Sequence, residues 1–216
     1  MHKKVGLILF SVALIVAAFF GATTVYQNQK TESMKFLADQ NFKLFVPDHA
    51  PKLGASAPKV YIVEFLDPEC ESCRWIAPYV KQLMNEYKDR AQLVVRYAPF
   101  HGNSKFAVAI LEAARKQDKY WETLEMLFET QPHWGDHHNP QPERLWSFLP
   151  RIGLDIDRLK QDMEDPAIAK IIEADMADLQ TLGVRRTPTF FVNGKPLLDF
   201  GPQYLRELVE QELAAK

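Results

Sequence analysis

Cys70 and Cys73 are the only cysteines among 216 residues, and two residues separate them in Cys70-Glu71-Ser72-Cys73. An apolar run, Val60 to Leu66, precedes them, and a helix-like run, Arg74 to Tyr87, follows. The pair therefore falls at a strand-to-helix junction, where the helix N-terminus favours a thiolate over a thiol. The chemistry this permits is thiol–disulfide exchange. Cys70, the first at the helix start, is the expected nucleophile; Cys73, one turn further in, is the expected resolving thiol. A second chemistry is open to two thiolates, the binding of a soft ion such as copper(I) in a chaperone-like module. That reading needs a third ligand, and no methionine or histidine lies within a few residues of Cys70. Two cysteines are too few for a four-cysteine zinc site. A purely structural bridge closing so short a loop would restrain little chain.

The elements that position the pair are read from hydrophobic pattern. Val60 to Leu66 is broken only by Glu64 and predicts a central strand. The helix after it carries Trp75, Ile76, Val80, Leu83 and Met84 at helical spacing, with Pro78 inside it. Gln92 to Ala98 predicts a second strand. A long helical stretch follows, about residues 103–183, with amphipathic segments over 106–114 and 120–128, a loop over 133–141, and helices over 142–149 and 155–163. Asp165-Pro166 predicts an N-cap and first turn, and Gly183 a helix stop. Thr189 to Val192 and Lys195 to Asp199 predict strands joined by the hairpin turn Asn193-Gly194, and Gly201-Pro202 opens a last helix. The order is βαβ, a helical block, then ββα.

Lys+Arg 26 against Asp+Glu 28 gives a net charge of -2, so no basic surplus points to nucleic acid. Hydrophobic residues at 47% and charged residues at 25% describe a folded, globular chain. The N-terminus differs from the rest. Lys3 and Lys4 precede an uncharged run from Val5 to Tyr26, which as a helix would reach about 33 Å. Gly21-Ala22-Thr23 is a poor cleavage site, so an uncleaved signal anchor is expected over residues 1–30, with the domain outside the membrane in an oxidising compartment. Residues 31–58 are expected to be a linker, with a short strand where Phe42, Leu44 and Val46 alternate with polar residues. Such a linker is too short for a dimerisation domain, so a monomer is expected. His133, His137 and His138 cluster in an irregular stretch without fixed ligand spacing, and no metal site is assigned to them.

This order of elements around Cys70-Glu71-Ser72-Cys73 resembles the thioredoxin fold with an inserted helical subdomain, and in particular the DsbA-like family of extracytoplasmic thiol–disulfide oxidoreductases. The resemblance covers roughly residues 59–215. It rests on Glu64-Phe65-Leu66 leading into the cysteines, on Pro78 five residues after Cys73, on the helical block, and on Thr187-Pro188-Thr189-Phe190-Phe191-Val192-Asn193-Gly194. It implies that Pro188 is a cis proline facing the cysteines, and that the backbone at Thr187 pairs with an extended substrate. It implies that Glu64 is a buried acid assisting proton transfer at Cys73. Strongly oxidising relatives carry histidine where this chain has Ser72. With Glu71 adding negative charge, Glu71 and Ser72 are expected to tune the couple toward a milder potential. The resemblance also implies protein substrates, no cofactor beyond the Cys70–Cys73 disulfide, and a membrane redox partner. It leaves the direction of electron flow open. Arg185 and Arg186, just before the loop, either face solvent, steady the thiolate or steer substrates.

Overall fold

A computed structural model of the chain describes residues 2–136 and 139–215. Two strands at its centre set the frame. Strand β2 (Val60–Leu66) is buried at every residue but Tyr61, as its near-continuous apolar sequence requires. It pairs in parallel with β3 (Ala91–Tyr97), and helix α3 (Glu71–Glu86) makes the crossover. On its other side β2 pairs antiparallel with β4 (Thr189–Val192), which turns back into β5 (Lys195–Pro196). With β1 (Lys52–Gly54) antiparallel to the outer edge of β3, the strand order is β1-β3-β2-β4-β5.

Side chains alternate across β2, so each face receives its own core. Ile62 and Leu66 pack with Ile76 and Val80 of α3 and with the helical block. Val63 and Phe65 pack on the opposite face with Phe191, Leu179, Leu182 and Phe45. Glu64, even-numbered like Ile62 and Leu66, therefore stands on the α3 face. That alternation is what aims a carboxyl at the cysteine helix.

The helical block comprises α4 (Ser104–Arg115), α5 (Tyr120–Trp134), α6 (Leu145–Phe148), α7 (Ile156–Met163) and α8 (Pro166–Thr181), with α9 (Pro202–Ala214) closing the chain. Asp165 caps α8, accepting from the Ala167 N–H at 2.8 Å, and Gly183 ends it at φ 66°. The Asn193-Gly194 turn has φ of 47° and 80°, the left-handed pair that joins β4 to β5. The fold is the expected mixed α/β thioredoxin-like one.

Four local expectations need correction. Residues 42–46 are not a strand: Phe42–Phe45 form the one-turn helix α2, which buries Phe45 and Val46 against the sheet. Residues 31–58 are accordingly not a free linker, since Phe45, Val46 and Ala50 belong to the second core and β1 lies at 52–54. The strand expected over Lys195 to Asp199 is paired only at Lys195 and Pro196; proline contributes no N–H, and one further bond, Leu197 N–H to Phe190 O at 2.9 Å, ends the pairing. The loop expected from His133 begins later, because α5 continues to Trp134, a fully buried indole that donates to the Leu127 carbonyl at 2.9 Å.

The first helix, α1 (His2–Gln40), is continuous. Its apolar side chains from Leu9 to Val25 are exposed, and it is long and apolar enough to cross a membrane, a property it shares with signal sequences near an N-terminus. Its C-terminal end rests on the β4–β5 turn. Gly194 lies so close beneath Ala38 that a Cβ there would collide with the Ala38 methyl group.

Candidate active site

Cys70 occupies the N-cap of α3, in extended conformation at φ -76° and ψ 122°. Its Sγ lies 3.4 Å from the Thr187 carbonyl, 117 residues on, so the pair and the proline loop meet. The Thr187–Pro188 bond is cis, Pro188 is buried and Thr187 half-buried. Cys70 is 7% exposed and Cys73 fully enclosed, so the first sulfur is the more accessible of the two.

The two thiols are driven apart in acidity. A hydrogen bond from the Cys73 thiol holds the Cys70 pKa down to about 5 against the opposing effect of burial. The Thr187 side chain and the backbone N–H groups of Cys73 and Ser72 add to the same effect. Cys73 is pushed well above the ordinary thiol value by burial first, then by donating to Cys70 and by the negative charges of Cys70 and Glu64. Glu64 is raised to about 8 by burial, with the Cys70 charge adding. The Cys70 thiolate, the Cys73 thiol and a protonated Glu64 thus coexist near neutral pH.

Glu71 and Ser72 are both exposed. Ser72 acts through its backbone N–H, and the groups that set the acidity of Cys70 are short-range donors; the Glu71 carboxylate is not among them.

The sequence reading missed a buried polar layer beneath the cysteine loop. Asp67, fully buried, accepts from the backbone N–H groups of Glu69, Phe100 and His101 at 2.9, 2.8 and 3.1 Å, from the Ser104 hydroxyl, and pairs with His101 Nδ1 at 2.7 Å. Glu69 accepts from the Asn103 backbone and side-chain N–H groups at 2.8 and 2.9 Å. From the other side, Gln131 of α5 donates to the carbonyls of Pro68 at 2.8 Å and Cys70 at 3.1 Å. The cysteine loop is thereby tied to both the β3–α4 loop and the helical block. Burial works against charging His101, but the hydrogen bond and charge of Asp67, with the charges of Cys70 and Glu69, outweigh it and raise its pKa. His101 thus faces the charges of Asp67, Cys70 and Glu69 from a different element than Ser72. The signal for this layer was Asp67-Pro68-Glu69, two acids directly before the nucleophile at the end of an apolar strand.

Among the described residues no three His, Cys, Asp or Glu side chains are gathered to share a metal, and His137 and His138 lie outside the described residues.

Comparison with known proteins agrees with this geometry. The thioredoxin family model matches residues 47–211. The chain is 31% identical over 144 residues to the Na(+)/H(+) antiporter NhaA of Herminiimonas arsenicoxydans, covering 67% of this chain but only 22% of that one. It thus spans about a fifth of the length of the antiporter relatives it matches. It is 26% identical over 181 residues to disulfide bond formation protein D of Bacillus subtilis, covering 77% of this chain and 78% of the relative. Among solved structures, a thioredoxin-like oxidoreductase from Silicibacter pomeroyi superimposes with a TM-score of 0.70 at 30% identity, over 81% of this chain and 98% of that one. The fold alone is shared, at 23% identity and a TM-score of 0.72, with the thiol-disulfide exchange protein alpha-DsbA2 from Wolbachia pipientis, over 85% of this chain and 97% of that one. The match across most of the chain, together with a cysteine pair set against a cis-proline loop, means that this chain belongs to the thioredoxin family.

Proposed function

We propose that the protein is an extracytoplasmic thiol–disulfide oxidoreductase that exchanges disulfides with protein substrates through Cys70 and Cys73. The observation that carries this reading is the nucleophile itself. An acidic, slightly open Cys70 lies 3.4 Å from the Thr187 carbonyl, above an enclosed, weakly acidic Cys73. The family relationship and the relative named for disulfide bond formation support it.

In the oxidising direction a substrate thiolate attacks Cys70 Sγ of the Cys70–Cys73 disulfide. The Cys70–Cys73 bond breaks, Cys73 leaves with the electron pair, and Glu64 supplies it with a proton. A second substrate thiolate then attacks the substrate sulfur of the mixed disulfide and expels Cys70 as a thiolate. Two electrons enter the protein and the substrate gains one disulfide. The acidity of Cys70 makes it a good leaving group and stabilises the reduced protein, which favours this direction. In reverse, the Cys70 thiolate attacks a substrate disulfide, Glu64 as carboxylate takes the Cys73 proton, and Cys73 resolves the mixed disulfide. The backbone beside Pro188, at Thr187, holds the substrate chain as an added strand.

The apolar exposed face of α1 supports an N-terminal anchor. With the domain outside, at the bacterial periplasmic or cell surface, the oxidising surroundings suit the chemistry. Recycling falls to a membrane redox partner, and the protein acts as a monomer with no cofactor but its own dithiol.

Titration of the full chain in glutathione redox buffers tests the function. One reversible two-electron couple is expected, abolished by Cys70→Ser or Cys73→Ser. Cysteines that titrate independently, or a Cys70→Ser variant that still exchanges disulfides, would overturn it.

A further inference from the structure

A cavity of about 460 Å³ opens beside the cysteine pair, lined by Ser72, Thr187, Pro188 and the strands that follow them. Its charge is one-sided. Lys30 of α1 and Arg185 and Arg186 of the proline loop line it, and no acidic side chain does. All three basic residues are exposed, and none forms an ion pair with the described residues. Glu71 and Asp199, neighbours in sequence of lining residues, are not part of the lining. Apart from Ser72, Thr187 and Thr189, the rest of the wall is uncharged and mostly apolar, including Leu197 and Phe200. Cavities of this size hold a few side chains rather than a folded surface.

The position of the cavity gives the charge its meaning. Thr187 both lines the cavity and touches Cys70 Sγ through its carbonyl. A substrate strand paired at Thr187 runs alongside Arg185 and Arg186, and its side chains alternate between the two faces. Residues within two positions of the reacting cysteine therefore enter the basic, partly apolar cavity. Lys30 arrives because α1 is held on the β4–β5 turn at Ala38 and Gly194, about 12 Å further along the same helix. The helix that carries the anchor thus supplies one wall of the substrate cavity.

We infer that the preferred substrates are extended protein segments carrying acidic side chains within two residues of the reacting cysteine, selected by Lys30, Arg185 and Arg186. This rests on the function proposed above and names its substrate class.

The test uses the full oxidised chain in zwitterionic nanodiscs and three dithiol peptides that differ only in Asp, Ser or Lys beside each cysteine. Each kcat/KM is divided by the rate of the same peptide with the uncharged 2-hydroxyethyl disulfide, which removes the intrinsic effect of neighbouring charge on thiol reactivity. The corrected Asp-to-Lys preference is expected to be about three- to tenfold at low salt, the scale of two partly exposed ion pairs, and to fall toward one in about 0.5 M salt. Arg185→Glu with Arg186→Glu should invert it. Lys30→Glu, on a different element, should reduce it even if the double variant folds poorly. A preference equal in wild type and variants would overturn the inference while leaving the function standing. So would variants that lose only affinity for anionic vesicles, which would assign these residues to a lipid surface. Absence of exchange with all three peptides would overturn the function and this inference with it.

Discussion

At Cys70, one sulfur gathers the consequences of its neighbours. Interpolating between a thiol near 7 at about -270 mV and one near 3.5 at about -120 mV, a Cys70 pKa of about 5 places the Cys70–Cys73 couple near about -190 mV at pH 7. Because the reduced protein then holds one thiolate and one thiol, reduction takes up a single proton, and the potential should fall by about 30 mV per unit between pH 5.5 and 7. Glutathione titration across that range checks both numbers; a potential near about -120 mV would contradict the milder couple. Glu64 has the opposite linkage. Its carboxyl rises from 4.5 to about 8 on folding, so the native state keeps a proton that the unfolded chain releases above 4.5. Stability is unaffected below pH 4.5 and falls as pH rises from there to about 8, by about 3 kcal/mol at pH 7. Glu64→Gln should therefore be more stable than wild type at pH 7 by up to that amount, gain nothing at pH 4.5, and slow the step in which Cys73 exchanges its proton. Urea melts at the two pH values and single-turnover kinetics measure the pair of effects. The place of Cys70 and Cys73 was legible because two lone cysteines at a strand end leave little choice; their separate roles belong to the proposed function. Glu64 was legible as a single charge in an apolar strand. Asp67 was not, because Phe100, His101 and Ser104 approach it only after β3 has crossed over.

At the scale of elements, Arg96 does for the sheet what Asp67 does for the cysteine loop. Fully buried on β3, its guanidinium donates to Asp175 at 2.8 Å and Asp178 at 2.6 Å on α8 and to the Leu44 carbonyl at 2.7 Å, and lies over the Phe65 ring at 5.1 Å. Three separate segments converge on one side chain. Arg96→Met should cost about 3–5 kcal/mol, since it takes the guanidinium from the buried Asp175 carboxylate and leaves it only His49 Nε2 and the Tyr97 N–H. It should also loosen residues 41–51, seen as faster hydrogen exchange there than in α3. Nothing in Val94-Val95-Arg96-Tyr97 announced this: the acids sit three residues apart on a helix some 80 positions later. The extent of α1 escaped for another reason. Residues 27–40 lack apolar periodicity, yet no glycine or proline occurs among them, so nothing breaks the helix before it ends at Gln40. By contrast β2, α3 and the Asn193-Gly194 turn were legible because each carries its own local signal.

Over the whole molecule, one sheet brings together distant parts of the chain: Cys70 just past the end of β2, Glu64 within β2, and the Thr187–Pro188 loop before β4. The helical block buries Cys73 and steadies the loop through Gln131, while Lys30 of α1 lines the cavity beside the cysteine pair. In the proposed function Cys70 attacks and Cys73 resolves. Single-turnover trapping with full-length Cys73→Ala and a disulfide-bonded protein substrate, followed by mass mapping of the adduct, measures this order of events. A stable mixed disulfide on Cys70 that wild type does not accumulate is expected, with the adduct absent from Cys70→Ala. An adduct forming equally on Cys73 in Cys70→Ala, or none in Cys73→Ala under conditions where wild type turns over, would contradict it.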